Sequence, residues 1–336
     1  MKWLDLRSDT VTLPSAAMIA CASNAEVGDD VFGEDATVNA LQKRCADELG
    51  FQSGLFVPSG TQSNLLALMG HCERGDEYIV GSEAHTFKFE GGGAAVLGSI
   101  QPQPIPQQYS DGTLDLAAVA AAIKPIGDPH FARTRCFALE NTWWGRVLPQ
   151  TYIAEAAALA KQHQLAFHLD GARLFNAAVA QNIPAREIAK HFDSVSICFS
   201  KGLGAPVGSM LLGTEELISK ARRWRKVLGG GWRQAGLLAA MANFALENNV
   251  ERLKDDHRRA AELANALHDI AGIEVNGAYT SMVFITMPRE RLSALSAHMQ
   301  KNGIKLSATN PRIRLVMHLD IDDDGLARII EAFRSF

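Results

Sequence analysis

The chain has 336 residues, 47% of them hydrophobic and 21% charged, with a formal net charge of -4. That composition belongs to an ordinary folded protein, long enough for one large unit plus a smaller one and able to bury a core without staples. Slight acidity excludes a nucleic-acid or polyanion partner, and no apolar run approaches the roughly 20 residues that cross a bilayer.

Five cysteines occur, an odd number with no C-x-x-C, which is a reduced, cytoplasmic pattern. Cys136 and Cys198 lie in apolar runs and read as core thiols. The segment Met1 to Arg7 lacks the apolar stretch of a secretion signal.

In chain order, Asp5 to Val11 is a polar arm, and a helix is expected from Pro14 to Ala22. Asp35 to Leu49 carries Val38, Leu41, Cys45 and Leu49 at helical spacing. Leu55-Phe56-Val57 reads as a strand, followed by the turn Ser59-Gly60-Thr61 and an apolar helix. Such a turn offers free N–H groups and hydroxyls to an anion, although Ser and Thr serve equally as plain helix caps. Glu77 to Val80 is a strand that leads to His85. The triple glycine 91–93 reads as a flexible or close-approach segment, and Ala94 to Ile105 as a strand and a loop rich in Pro and Gln. A helix from Leu114 to Lys124 and a loop carrying His130 precede the strand Cys136–Asn141.

Further on, a helix from Tyr152 to His163 is followed by a strand that ends at Asp170. After the short helix Ile183 to His191, an apolar run ends in Phe199-Ser200-Lys201-Gly202. The basic run Arg222 to Lys226 reads as a solvated helix face or as a phosphate- or subunit-facing one. Beyond Gly229-Gly230-Gly231 come two helices and then short strands alternating with helices. The strands up to Leu212 alternate with helices without polar alternation. The large unit, residues 1–247, is therefore an open, mostly parallel α/β sheet covered on both faces, and residues 248–336 form a small α+β domain.

Ligands of such sheets sit beyond the carboxyl ends of the strands. Ser59, His85, Asn141, Asp170 and Lys201 all follow strand ends. An anion turn, an acid and a lysine on one rim are what pyridoxal 5'-phosphate (PLP) requires: a phosphate site, a partner for the pyridine nitrogen and an amine for the aldehyde. The place suits a Schiff-base lysine, whose amine must be partly desolvated to lose its proton and act as a nucleophile, although lysines at strand ends are mostly solvated. No G-x-G-x-x-G follows a strand, so a nicotinamide site is not expected.

These residues carry a resemblance. Asp5 to Thr12, Glu26 to Gly33, Pro58 to Thr61, His168 to Arg173, Ser200 to Gly204 and Arg314 to Val316 resemble the motifs of the low-specificity L-threonine aldolases of the β-eliminating lyase group. The resemblance implies the aspartate aminotransferase-like fold (fold type I), PLP, and cleavage of L-threonine and L-allo-threonine to glycine and an aldehyde. Lys201 would bind the cofactor aldehyde, with Ser59, Gly60 and Thr61 at its phosphate, Asp170 at its ring nitrogen and His85 stacked on its ring. Arg233, and Lys226 beside it, would reach the phosphate of a neighbouring subunit, which requires a dimer; the family is typically tetrameric. Ser8, Arg173 and Arg314 would hold the substrate carboxylate, with Arg173 also beside the cofactor and His130 near the β-hydroxyl. The base is His85, His130 or a water held by them. Arg312 and Arg314 share one strand face, which on pattern alone is also compatible with a solvated face.

Trp143-Trp144 stands where the family has His-Asn, and Ser281 where asparagine is common. The indoles are either simple packing or a reshaped substrate pocket or subunit contact. Asp320 to Gly325 with Glu331 matches the calcium-loop pattern, but a strand rather than a helix is expected before it, so no metal is expected. Two alternatives to the aldolase are another PLP-dependent lyase or racemase on a related amino acid, and a PLP-fold binding protein without turnover.

Overall fold

The computed structural model describes residues 3–336; Met1 and Lys2, part of the segment read for a secretion signal, lie outside the described residues. Twelve strands occur among them. They are β1 (Leu4–Asp5), β2 (Ser53–Val57), β3 (Glu77–Gly81), β4 (Gln101–Ile105), β5 (Thr134–Glu140), β6 (Ala166–Gly171), β7 (Ser194–Cys198), β8 (Ser209–Gly213), β9 (Glu274–Tyr279), β10 (Met282–Thr286), β11 (Ile304–Lys305) and β12 (Arg312–Val316).

Seven strands make the central sheet, in the order β2-β8-β7-β6-β5-β3-β4. β4, β3, β5, β6 and β7 run parallel, while β8 is antiparallel to both β7 and β2. Every residue of β3, β7 and β8 is buried, as expected where helices cover both faces. The mostly parallel sheet expected from the sequence is thus present.

Local signals explain the flanking helices. Asp35 caps the helix Ala36–Leu49 by accepting the Val38 N–H at 2.9 Å, and left-handed Gly50 ends it. Val38, Leu41, Cys45 and Leu49 are buried as the spacing predicted. Between sheet and helices, Phe137, Phe167 and Phe192 form a ladder with ring centroids 5.3 and 4.3 Å apart. Each such buried side chain contributes about 1.5–3 kcal/mol.

One stretch differs from expectation. Residues Gly93–Val96 are helical, and the strand lies in the Pro- and Gln-rich part, β4. Pro102 and Pro104 are tolerated because β4 is the sheet edge and pairs only with β3. Gly91 and Gly92 serve conformation rather than close approach: both have positive φ, and nothing lies within 4 Å of the Cβ either would carry.

The C-terminal part holds the antiparallel sheet β12-β10-β9. Along β10, Val283 and Ile285 join a core with Leu263, Leu295, Ile329 and Phe333, whereas Met282 and Phe284 face Trp144 and Tyr279. Leu4 and Leu6 of the amino-terminal arm belong to this C-terminal core, and β1 pairs in parallel with β11. The acidic loop 320–325 follows β12. Asp322 caps the helix Asp323–Arg334, Asp320 accepts the Leu13 N–H, and Asp323 pairs with Arg258 and Arg259.

Candidate active site

The rim follows from register. β5, β6 and β7 are parallel, so Glu140, Asp170 and the turn holding Lys201 leave the sheet on one side. Val57 pairs with Ser209, which pairs with Cys198, so the antiparallel β2 also ends there. A Cβ on Gly60 would stand 2.8 Å from Cys198 Sγ, so the Ser59-Gly60-Thr61 turn packs against the strand that leads to Lys201.

Ser59 Oγ accepts the Gln62 N–H at 3.2 Å and caps the helix Gly60–His71. That leaves the first N–H groups of a 12-residue helix for an anion. Asp170 is 4% exposed; Asn64 Nδ2 donates to its Oδ2 at 2.9 Å and the Ala172 N–H to its Oδ1 at 3.1 Å. Close to Asp170, His85 Nδ1 and Glu90 Oε1 stand 2.8 Å apart. The hydrogen bond to Glu90 raises the His85 pKa against the effect of burial. Burial in turn pushes Glu90 up, against its hydrogen bond with His85. The His85 backbone N–H donates to Glu140 Oε2 at 2.7 Å. Burial, then the charge of Asp170, pushes the Glu140 carboxyl up to about 8. The Lys201 ammonium is near enough for its charge to act on Asp9, His85 and Glu140.

Above this rim lies a cavity of about 430 Å³ between the two sheets, lined in part by His85, Glu140, Trp144, Arg173, Arg312 and Arg314. Arg173 is only 13% exposed and forks onto Asp9. Arg314 donates to the Arg7 carbonyl at 3.1 Å and lies 5.6 Å over the Trp144 ring. Burial, then the adjacent Arg173 charge, lowers the Arg314 pKa. No carboxylate among the described residues pairs with it, so the arrangement suits an anionic group of a small molecule. Ser8 lies beside this pair on the arm, where its Oγ accepts the Thr10 N–H at 3.2 Å.

The tryptophan pair divides its work. Trp143 is buried and packs on Tyr109 at 5.6 Å, the simple packing outcome. Trp144 has φ of 49°, a left-handed conformation that costs a bulky residue roughly 1–2 kcal/mol. It lines both the main cavity and a side pocket of about 110 Å³ walled by Tyr109, Trp143 and Phe284.

Three predicted residues stand apart. His130 is 84% exposed and bonded to Asp128. It precedes β5, so a seven-residue strand, roughly 20 Å, separates it from the rim where β5 ends. Within one subunit it therefore does not meet His85. Arg233 is exposed and pairs with Asp29 at 2.8 Å, and Lys226 runs along Gly231. Their glycine loop lies against the first turn of the helix Gly60–His71, for a Cβ on Gly230 would meet Gln62 Oε1 at 2.4 Å. Of the basic run, Arg225 is buried on Asp30 and the Phe56 carbonyl, while Arg222, Arg223 and Lys226 are exposed.

Sequence reading missed Asn64, Glu90, Glu140 and the grip of Asp9 on Arg173. Asn64 lies one helical turn after Gly60, and Glu90 five residues after His85; that spacing was the available signal.

The family model described as beta-eliminating lyase matches residues 5–290. The chain belongs to the beta-eliminating lyase family. Among similar proteins, the low specificity L-threonine aldolase of Escherichia coli K12 is 51% identical over 333 residues, 99% of each chain. Low-specificity L-threonine aldolase 1 of Arabidopsis thaliana is 43% identical and covers 100% of this chain and 96% of its own. The solved threonine aldolase of Leishmania major superposes with a TM-score of 0.84 over 99% of both chains at 20% identity. The fold is thus the fold type I architecture expected.

The rim also fits PLP on its own chemistry. A buried carboxylate, an imidazole, a lysine and free helix amides share one rim of the central sheet, and the imidazole also lines the cavity above it.

Proposed function

We propose that this chain is a PLP-dependent aldolase that cleaves β-hydroxy-α-amino acids, L-threonine and L-allo-threonine among them, to glycine and an aldehyde. The carrying observation is the cavity where Arg173 and Arg314 converge beside His85 and Glu140, on the rim that holds Asp170 and Lys201. The 51% identity to a low specificity L-threonine aldolase supports the same reading.

PLP bound there supplies a sink for the electron pair released when Cα–Cβ breaks. Lys201 offers its amine to the cofactor aldehyde. Asp170, buried and bonded to Asn64, holds a proton on the pyridine nitrogen. The amides of Gly60 and Thr61, with Ser59, meet the phosphate. Arg314, Arg173 and Ser8 would hold the substrate carboxylate and so fix the torsion about Cα that selects which bond breaks. His85, its Nδ1 occupied by Glu90, has Nε2 to accept the β-hydroxyl proton.

A second copy of the chain would complete the site with Arg233, Lys226 and the His130 loop. Apolar side chains left in solvent support this: Phe32 is 74% exposed, Ile126 91% and Phe131 48%. A tetramer is the assembly we infer, with a role in threonine catabolism. Five free cysteines fit a reducing, cytoplasmic setting, and among the described residues no helix is long and apolar enough to cross a membrane.

The test is aldehyde release from both threonine diastereomers and β-phenylserine, with Lys201→Ala as control. Protein that binds PLP yet cleaves none of the three would overturn the proposal. A keto acid with ammonia in place of glycine would indicate β-elimination.

A further inference from the structure

Behind the rim, the bonds of Asp170 to Asn64 and of His85 to Glu90 continue into a buried hydrogen-bond chain. Asn64 is 1% exposed, and its Nδ2 reaches two acids, Asp170 Oδ2 and Glu90 Oε1, each at 2.9 Å. Its Oδ1 faces His168 Nε2 at 3.2 Å. His168 Nδ1 is 2.8 Å from Ser194 Oγ, which is 2.7 Å from His71 Nε2. His168 and Ser194 are both 0% exposed.

The chemistry forces one direction along this chain. Carboxylates accept, so the Asn64 amide nitrogen must face both acids and its oxygen must face His168. His168 Nε2 therefore carries the proton. Burial keeps His168 neutral, so its Nδ1 is bare and accepts from the Ser194 hydroxyl. That hydroxyl has one proton to give, so His71 Nε2 donates to Ser194 Oγ. At the other end, Glu90 Oε1 also accepts from His85 Nδ1, which leaves His85 Nε2 without a proton when the ring is neutral.

We infer that Asn64 is a positioning residue shared by the two halves of the reaction. Through Asp170 it sets the partner of the pyridine nitrogen, and through Glu90 it sets the tautomer of His85. A flipped amide would aim its oxygen at two carboxylates, and His71, Ser194 and His168 hold it against that flip. One side chain thus serves both the electron sink and the base, in an interior where an unmet hydrogen bond is costly. The role assigned to Asp170 rests on the proposed function; the tautomer of His85 does not.

Long-range ¹H–¹⁵N spectra of the imidazoles, with His85 assigned through His85→Gln, provide the test. The protein as purified is expected to show the proton on Nδ1 of His85 and on Nε2 of His168. Asn64→Leu, close in shape but without hydrogen bonds, is expected to turn His85 into a tautomer mixture. The same variant shifts the visible band of the bound cofactor and lowers kcat about 100-fold with little change in KM. A folded Asn64→Leu with an unchanged His85 pattern would overturn the inference. If Asn64→Leu does not fold, Asn64→Asp decides in the same spectra. It keeps the bond to His168 but sets a carboxylate against two others, so an unchanged His85 pattern there also overturns the inference. Because the imidazole spectra can be read before cofactor is added, a failed network and a failed cofactor assignment are told apart.

Discussion

Arg173 grips Asp9 with two nitrogens, Nε to Oδ2 at 2.8 Å and Nη2 to Oδ1 at 2.6 Å. The pair is buried and joins the amino-terminal arm to the end of β6. Burial alone would push the Asp9 carboxyl up, but the charge and hydrogen bonds of Arg173 outweigh it and bring it down to about 2. Its stabilising effect is present above the unfolded value of about 3.9 and is lost as pH falls towards 2. Urea unfolding at pH values across that window should show this loss. Asp9→Ala should remove that part of the slope and cost about 3–5 kcal/mol, because it leaves Arg173 buried and unpaired. Its KM for amino acid should rise, since the guanidinium is no longer held in place.

Glu140 has the opposite sign. Its folded value of about 8 lies above the ordinary glutamate value of about 4.3. Folding is favoured below that ordinary value, and the contribution is lost as pH rises through about 8. Glu140→Gln should flatten the fall in stability over this range and unfold at higher urea than the parent above pH 8. Equal midpoints for parent and variant at every pH would reject the raised value.

Trp144 occupies a left-handed position that suits asparagine better. Trp144→Asn should relieve backbone strain while removing the wall between the main cavity and the side pocket. The ratio of kcat/KM for β-phenylserine over L-threonine should fall about tenfold, the scale of one aromatic contact. A ratio that does not move would assign the indole to packing alone.

His130, on the far side of its own sheet from Lys201, offers a test of assembly. Lys201→Ala and His130→Ala proteins, each weak alone, should regain aldehyde release when mixed under conditions of subunit exchange. The same holds for Lys201→Ala with Arg233→Ala. No recovery in a demonstrated mixed oligomer would place these residues outside the shared site.

Most of the rim was legible because chemistry sits where apolar strands stop. Asp170 and Lys201 interrupt buried runs, and a charged residue there has few structural reasons to exist. Asn64 and Glu90 were hidden because one lies in an apolar helix and the other beside a glycine turn, where neither breaks a pattern. Their partners become neighbours only through the packing of that helix on β6. The β4 edge was misjudged because prolines argue against a strand, and nothing local says that a strand is an edge. Trp143 and Trp144 are adjacent in sequence, yet one is core and the other cavity wall. The positive φ of Trp144 and of Gly145 separates them, and no periodicity encodes that turn.

The pairing of β1 with β11 also bears on how the protein is made. Leu4 and Ile304 are partners, so the first described strand has nothing to pair with until some 300 residues have followed it. At common rates of synthesis that interval is roughly 15 to 60 seconds. Throughout it, Leu4 and Leu6 lack the core that buries them, while the central sheet, complete by Gly213, can already assemble. Asp9 is carried on the same arm, so the clamp on Arg173 closes late, after the rim that holds Asp170 and Lys201 has formed.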